Sequence, residues 1–405
     1  MRQAAEPAPR RKRILILTNS VAIGGMERHV ELLVRYLDRT MFEVFTVCPD
    51  WYATTEFAAR LKQFADHHVL NSPDRRCGKR LQIREVWRLW RLLRRWHIDV
   101  LHMHLTTFRG GFWVLLAARL AGVPHILCTE HLAPEGRLPL HRRLIRYASV
   151  HLIDLLICVS EKNREARARY LYTPARRTSV IVNGVDAQDF LPINSAITYS
   201  LKGELNIPYD AQIVGSVVRL EPEKGINYLL EAMPEVLRSC PNTYLLVVGD
   251  GTLRSRLEAQ ATALGLGERA IFAGFHSDPR PYLALMDVFV LPVPVGSMSI
   301  GLLEAMAMRR AVVITFGDPG EAVVHEESGL WARPRDPAEL AKAISRLLAD
   351  PALAATYGEA ARQRVEQYFS AASVARKLAA LYRSLSSAPD RTVSSRPVAK
   401  DDVTG

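Results

Sequence analysis

The chain has 405 residues, 48% hydrophobic and 23% charged, with a formal net charge of +11; this length calls for two large domains, and this composition excludes a disordered or fibrous protein. No apolar run approaches the roughly 18 residues needed to span a bilayer. The five cysteines never form a Cys-x-x-Cys pair, which fits a reduced compartment and disfavours a structural zinc site, while the excess of positive charge implies acidic partners: nucleotides, anionic lipid or nucleic acid.

Residues 1–12 read as a disordered leader. Residues 14–17, Ile-Leu-Ile-Leu, are too short a run for a signal peptide and make a first strand. Gly24-Gly25-Met26-Glu27 then opens a helix whose apolar face is Val30, Leu33, Val34 and Leu37. Two readings of the glycines stay open: close approach of backbone to a ligand at a strand's carboxyl end, or a structural turn.

Further strands are expected at 44–47, 99–102, 125–128, 155–159 and 180–182, with helical patterns between them, which implies a parallel, doubly wound sheet. Polar residues follow several of these strands: His102 and His104, Glu130 and His131, Ser160 and Glu161. They are site candidates, although a lone histidine is more often a structural one.

The segment 75–98 carries nine Arg or Lys against one acid, Glu85, with Ile83, Val86, Trp87, Trp90 and Leu93 at helical spacing and Arg84, Arg88, Arg91 and Arg95 on another face. Such a helix suits an anionic membrane surface; it equally suits a core-packed helix with a solvated outer face. Arg137, Arg142, Arg143 and Arg146 extend the basic surface over 137–146.

Asn183-Gly184-Val185-Asp186 ends the first domain, and strands resume at 213–218, 244–248, 270–272, 288–291, 312–314 and 329–332. Arg219 and Lys224 flank a loop ending at Gly225; a planar fork and a point charge at a strand end suit a diphosphate. Gly249-Asp250-Gly251 and Ala273-Gly274-Phe275 are candidate walls of a nucleobase slot. Residues 288–291 are a buried strand, and Ser299 is the N-cap of a short helix. Its free amides at Gly301 and Leu302 make a seat for phosphate. Glu304, one turn further in, is placed to accept hydrogen bonds from a pair of sugar hydroxyls. The chain beyond 330 is helical, and 386–405 is a polar tail expected to be disordered.

Taken together, these motifs resemble those of the retaining glycosyltransferases of family 4, over roughly residues 13–385. The resemblance implies an α/β protein of the GT-B class: two facing Rossmann-like domains, at 13–186 and 187–372, with a C-terminal helix at about 373–384 crossing back to the N-terminal domain. It implies that Arg219 and Lys224 hold the donor diphosphate and Glu304 the ribose hydroxyls. Gly25, Gly249, Gly274, Ser299, Ile300, Gly301 and Leu302 would line the donor site, and His131 would lie near the transferred sugar. The expected donor is a nucleotide sugar such as a UDP- or GDP-hexose, and the acceptor lipid-linked or a polysaccharide. The expected location is the cytoplasm, peripheral on the inner face of the membrane. No cofactor or metal is expected, since no Asp-x-Asp occurs in the chain, and no nucleic acid, since no recognition motif accompanies the basic residues. The family commonly places another glutamate eight positions before Glu304, where this chain has Gly296. A subunit that binds a nucleotide sugar or glycan without catalysis is therefore the alternative expectation.

Overall fold

The computed structural model describes residues 10–19, 24–49, 54–70, 83–105, 111–131, 140–171, 177–294, 299–315 and 322–385. They form two parallel sheets. The first runs in the order β3-β2-β1-β4-β5-β6-β7, from β1 (Lys12–Thr18), β2 (Phe42–Cys48), β3 (His67–Leu70), β4 (Val100–Leu105), β5 (His125–Glu130), β6 (Leu155–Cys158) and β7 (Thr178–Val180). The second runs β10-β9-β8-β11-β12-β13, from β8 (Gln212–Val217), β9 (Thr243–Val248), β10 (Ala270–Gly274), β11 (Val288–Leu291), β12 (Ala311–Thr315) and β13 (Leu330–Ala332).

Their composition explains their state. Ile14, Leu15, Ile16 and Leu17 are all buried, as are Val288, Phe289, Val290 and Leu291, and such unbroken apolar runs mark strands covered by helices on both faces. Each fully buried side chain of this kind contributes about 1.5–3 kcal/mol. Both sheets reverse direction of growth at their centre, between β1 and β4 and between β8 and β11. In open α/β sheets ligands bind at the carboxyl edge of such a switch point.

The opposite, amino edge is occupied by structural carboxylates. Asp66, Asp99, Asp154 and Asp287 each stand just ahead of a strand and accept the backbone N–H of a neighbouring one: Val44 (2.7 Å), Arg13 (2.8 Å), Ile126 (2.7 Å) and Ile213 (2.7 Å). Asp99 and Asp287 hold equivalent places in the two sheets. That edge is bound into the fold, which leaves the carboxyl edges for chemistry.

The residues divide into two compact units, one from 10–159, 164–181 and 375–385, the other from 160–163 and 182–374. The expected crossing helix is Ala371–Ser384. In the second unit Ala371 N–H donates to Val185 O at 2.9 Å; in the first, Tyr382 is fully buried, edge-on to Phe42 at 5.9 Å.

Several boundaries move. β1 starts at Lys12, and Arg10, assigned to the leader, pairs with Asp99 at 2.8 Å. The segment 183–186 belongs to the second unit. Strand β3 was not foreseen. The tail at 386–405, and Gly296 with its neighbours 295–298, lie outside the described residues. Among the described residues no helix is long and apolar enough to cross a membrane, and Cys48, Cys128, Cys158 and Cys240 are free thiols.

Candidate active site

In the second unit the loops after β8 and β11 meet at the switch point. Gly225, with φ +70°, ends the 3-10 turn Pro222–Lys224 and starts the helix Ile226–Ser239. A Cβ there would lie 2.0 Å from Pro292 O, so only glycine lets the two loops touch. A Cβ on Gly301 would lie 2.4 Å from Val217 O. The helix Ile300–Ala307 therefore starts directly over the end of β8, with its amino end close to the loop that carries Arg219 and Lys224.

Ser299 stands at the N-cap with extended backbone (φ −103°, ψ 130°), but its side chain caps nothing. Sequence reading placed the cap correctly and gave its hydroxyl a role it does not play. The amides at this positive helix end are consequently not engaged by a capping side chain. Glu304 is buried, one turn along the same helix.

Lys224 is the unusual member. It is 9% exposed, and its side chain makes no hydrogen bond or ion pair among the described residues, while its backbone N–H donates to Glu221 O at 2.9 Å. Burial, and next the nearby Arg219 guanidinium, bring its pKa down to about 8, with Glu223 opposing. Arg219 is half-exposed and leans on Glu223 at 3.4 Å. The loop between them is held from behind, because Glu221 accepts both the N–H (3.2 Å) and the hydroxyl (2.6 Å) of Thr252. Gly249 and Gly274, expected as walls of a base slot, are joined: Gly249 N–H donates to Gly274 O at 2.7 Å.

Asp287 is the acid nearest to Glu304 on its amino-terminal side. It lies at the far end of β11, bonded to Ile213 N–H, and so cannot supply a carboxylate to this edge.

The first unit gathers imidazoles at its own switch point. His102 and His104 project from β4, His131 follows β5, and His29 comes from the helix Gly25–Tyr36. His102 is satisfied, with Nδ1 2.5 Å from Tyr382 Oη and Nε2 2.7 Å from Thr129 Oγ1. His104 Nδ1 lies 3.2 Å from His131 Nε2. Burial holds all four neutral, His29 near 4, His102 near 3, and His104 and His131 well below their ordinary value. A neutral His131 is a hydrogen-bonding group for hydroxyls rather than a counter-charge for phosphate.

Other candidates prove structural. Ser160 Oγ accepts Asn163 N–H at 3.1 Å and caps the helix Glu161–Leu171. Glu130 is buried between Arg146 and Arg167. Arg146, expected on the basic surface, is thus inside the fold at 4% exposure; Arg137 and the side chains of Arg142 and Arg143 lie outside the described residues. In the helix Ile83–Trp96 the buried residues are Leu89, Leu93 and Trp96, while Ile83 and Trp87, members of an apolar stripe suited either to a membrane surface or to the core, are exposed. Gly25 begins its helix as expected. His29 was missed: it sits in phase with Met26, Val30 and Leu33, and only that helical phase could have marked it as inward-facing.

Comparison with known proteins closes the matter of kinship. A family model for glycosyltransferase family 4 matches residues 23–189, and one for group 1 glycosyl transferases matches residues 200–364. Glycogen synthase of Mycobacterium tuberculosis is 31% identical over 306 residues, 71% of this chain and 69% of that protein. The UDP-Gal:alpha-D-GlcNAc-diphosphoundecaprenol alpha-1,3-galactosyltransferase of Escherichia coli is 28% identical over 249 residues, 59% of this chain and 63% of its own. Anabaena HepE, crystallised with UDP and glucose, superposes with a TM-score of 0.78 at 23% identity, covering 93% of this chain and 100% of that one; this likeness speaks for the two-domain GT-B fold. With both units matched by family models and a relative 31% identical over 71% of the chain, the protein belongs to the group 1 and family 4 glycosyltransferases and is a glycosyltransferase enzyme.

Proposed function

We propose that this enzyme transfers a hexose, with retention of anomeric configuration, from a nucleotide sugar such as UDP- or GDP-hexose to a lipid-linked or polysaccharide acceptor. One observation carries the donor assignment. Lys224 is a buried ammonium without an anionic partner in contact, at a switch-point carboxyl edge, beside Arg219 and near a helix amino end. A buried charge of this kind calls for a counter-ion, and a diphosphate supplies one.

The chemistry follows from charge development. As the sugar–phosphate bond breaks, negative charge accumulates on the departing diphosphate. Lys224, Arg219 and the amides of Ile300, Gly301 and Leu302 are fixed in advance and stabilise that charge more than they stabilise the intact donor. Glu304 takes the ribose hydroxyls, and neutral His131 is assigned to a sugar hydroxyl. The acceptor oxygen attacks from the face the diphosphate leaves, and its proton passes to the leaving group. No metal is assigned to this step.

The E. coli relative's named substrate is lipid-linked, and this chain carries a surface suited to lipid. Arg84, Arg88, Arg91, Arg94 and Arg95 are exposed on one helix with Ile83 and Trp87; Arg91 stacks over Trp87 at 4.6 Å. The neighbouring helices add exposed Trp113 and Leu120, then Leu144, Ile145 and Tyr147. We assign this face to the anionic inner leaflet.

The donor assignment is tested by hydrolysis measured across UDP- and GDP-sugars, with Glu304→Ala and Lys224→Ala as controls. One donor turned over by the wild type and by neither variant is the expected result. Equal turnover by wild type and variants would overturn the assignment.

A further inference from the structure

His29, His104 and His131 come from three separate elements of the first unit, and all are buried. Their closest donor atoms lie within 4.8 Å of one another. The ring centres are 5.5 Å apart for His29 and His104, 5.2 Å for His29 and His131, and 5.5 Å for His104 and His131. Three imidazoles each pointing one nitrogen at a common tetrahedral ion, with metal–nitrogen bonds of about 2.0–2.1 Å, place their ring centres about 5 Å apart and their bound nitrogens about 3.3 Å apart. The 3.2 Å between His104 Nδ1 and His131 Nε2 matches that second figure.

The tautomers permit the same arrangement. His104 Nε2 and His131 Nδ1, the outer nitrogens of the pair, are buried without a hydrogen-bond partner. Nothing outside the pair therefore fixes which nitrogen carries the proton. When both outer nitrogens are protonated, two bare lone pairs confront each other and need a cation between them. His102, next in the strand, is excluded from the set because Tyr382 and Thr129 occupy both its nitrogens.

We propose that His29, His104 and His131 form a three-imidazole site for a divalent transition-metal ion of the zinc and cobalt class. Neutral imidazole is the ligand such ions favour, and three of them leave a fourth position open for water or a hydroxyl. The inference concerns the first unit alone; a metal-bound His131 would replace its assignment to a sugar hydroxyl and leave the assignments of Lys224, Arg219 and Glu304 untouched.

The test uses the full chain, stripped with chelator, and cobalt(II) chloride as the probe. The expected result is one cobalt per chain after desalting, with the intense visible absorption of tetrahedral cobalt, displaced by added zinc. His29→Gln, His104→Gln and His131→Gln should each lower the bound metal at least tenfold, whereas His276→Gln in the second unit should leave it unchanged. Circular dichroism identifies any variant that fails to fold. The wild-type spectrum decides independently of the variants: absence of the tetrahedral band, or a full complement of cobalt in a folded His104→Gln, His131→Gln double variant, would overturn the site.

Discussion

Replacing Lys224 by Met separates what this residue does for binding from what it does for the fold. In the free protein its pKa stands at about 8 against an ordinary value of 10.5. At 1.36 kcal/mol per unit that depression corresponds to about 3 kcal/mol by which the native state disfavours the ammonium. The unfolded chain binds the extra proton between pH 8 and 10.5, so the wild type gains stability as pH rises through that window. Met fills a similar volume without charge. At neutral pH the variant should therefore be more stable by up to about 3 kcal/mol, a Tm rise of roughly 5–10 °C for a unit of this size. It should also lose the alkaline gain.

Binding should move the other way. A charge-assisted contact removed from a phosphate costs about 1.5–3 kcal/mol, so UDP affinity should fall roughly ten- to a hundredfold. Because only the protonated amine serves, wild-type affinity should weaken about tenfold between pH 7 and pH 9, and Lys224→Met should show a flat profile. Calorimetric titration of UDP from pH 7 to 9.5, beside thermal melts over the same range, reads all of this. A variant that is less stable at pH 7, or one whose UDP affinity keeps the wild-type slope, would refute the reasoning.

Three further outcomes are expected. Gly301→Ala places a methyl 2.4 Å from Val217 O and should cost about 1–3 kcal/mol in urea melts as the helix Ile300–Ala307 is pushed off β8. Tyr382→Phe keeps the ring against Phe42 but leaves His102 Nδ1 buried without its 2.5 Å partner, a loss of about 1–3 kcal/mol. Charge reversal of Arg84, Arg88, Arg91 and Arg95 should abolish pelleting with anionic vesicles and leave circular dichroism unchanged; undiminished pelleting would remove the membrane assignment.

What could be read in advance follows from what each feature depends on. Strands buried on both faces announce themselves as apolar runs, and residues 288–291 coincide with β11 end for end. Strand β3, His-His-Val-Leu at the sheet's edge, is only partly buried and has no such run. The motifs of the second unit are local, each lying within one loop or helix, so Arg219, Lys224 and Glu304 could be named from spacing alone. Burial is not local. Arg146 lies inside because Glu130, sixteen positions earlier, faces it from the end of β5, and no helical pattern carries that pairing. Trp87 is exposed because one helix offered two apolar stripes and the sheet accepted the one through Leu89, Leu93 and Trp96. His29, His104 and His131 converge only after the helix Gly25–Tyr36 is packed over the ends of β4 and β5.

Tyr382 follows His102 by 280 positions, yet it roofs Phe42 and His102 in a sheet whose strands all precede residue 181. A nascent polypeptide leaving the ribosome must hold that sheet open to water until the second unit, at 182–374, has been made. The amino-terminal half should therefore be a poor fragment when expressed by itself, and a peptide spanning 375–385, supplied separately, should rescue it.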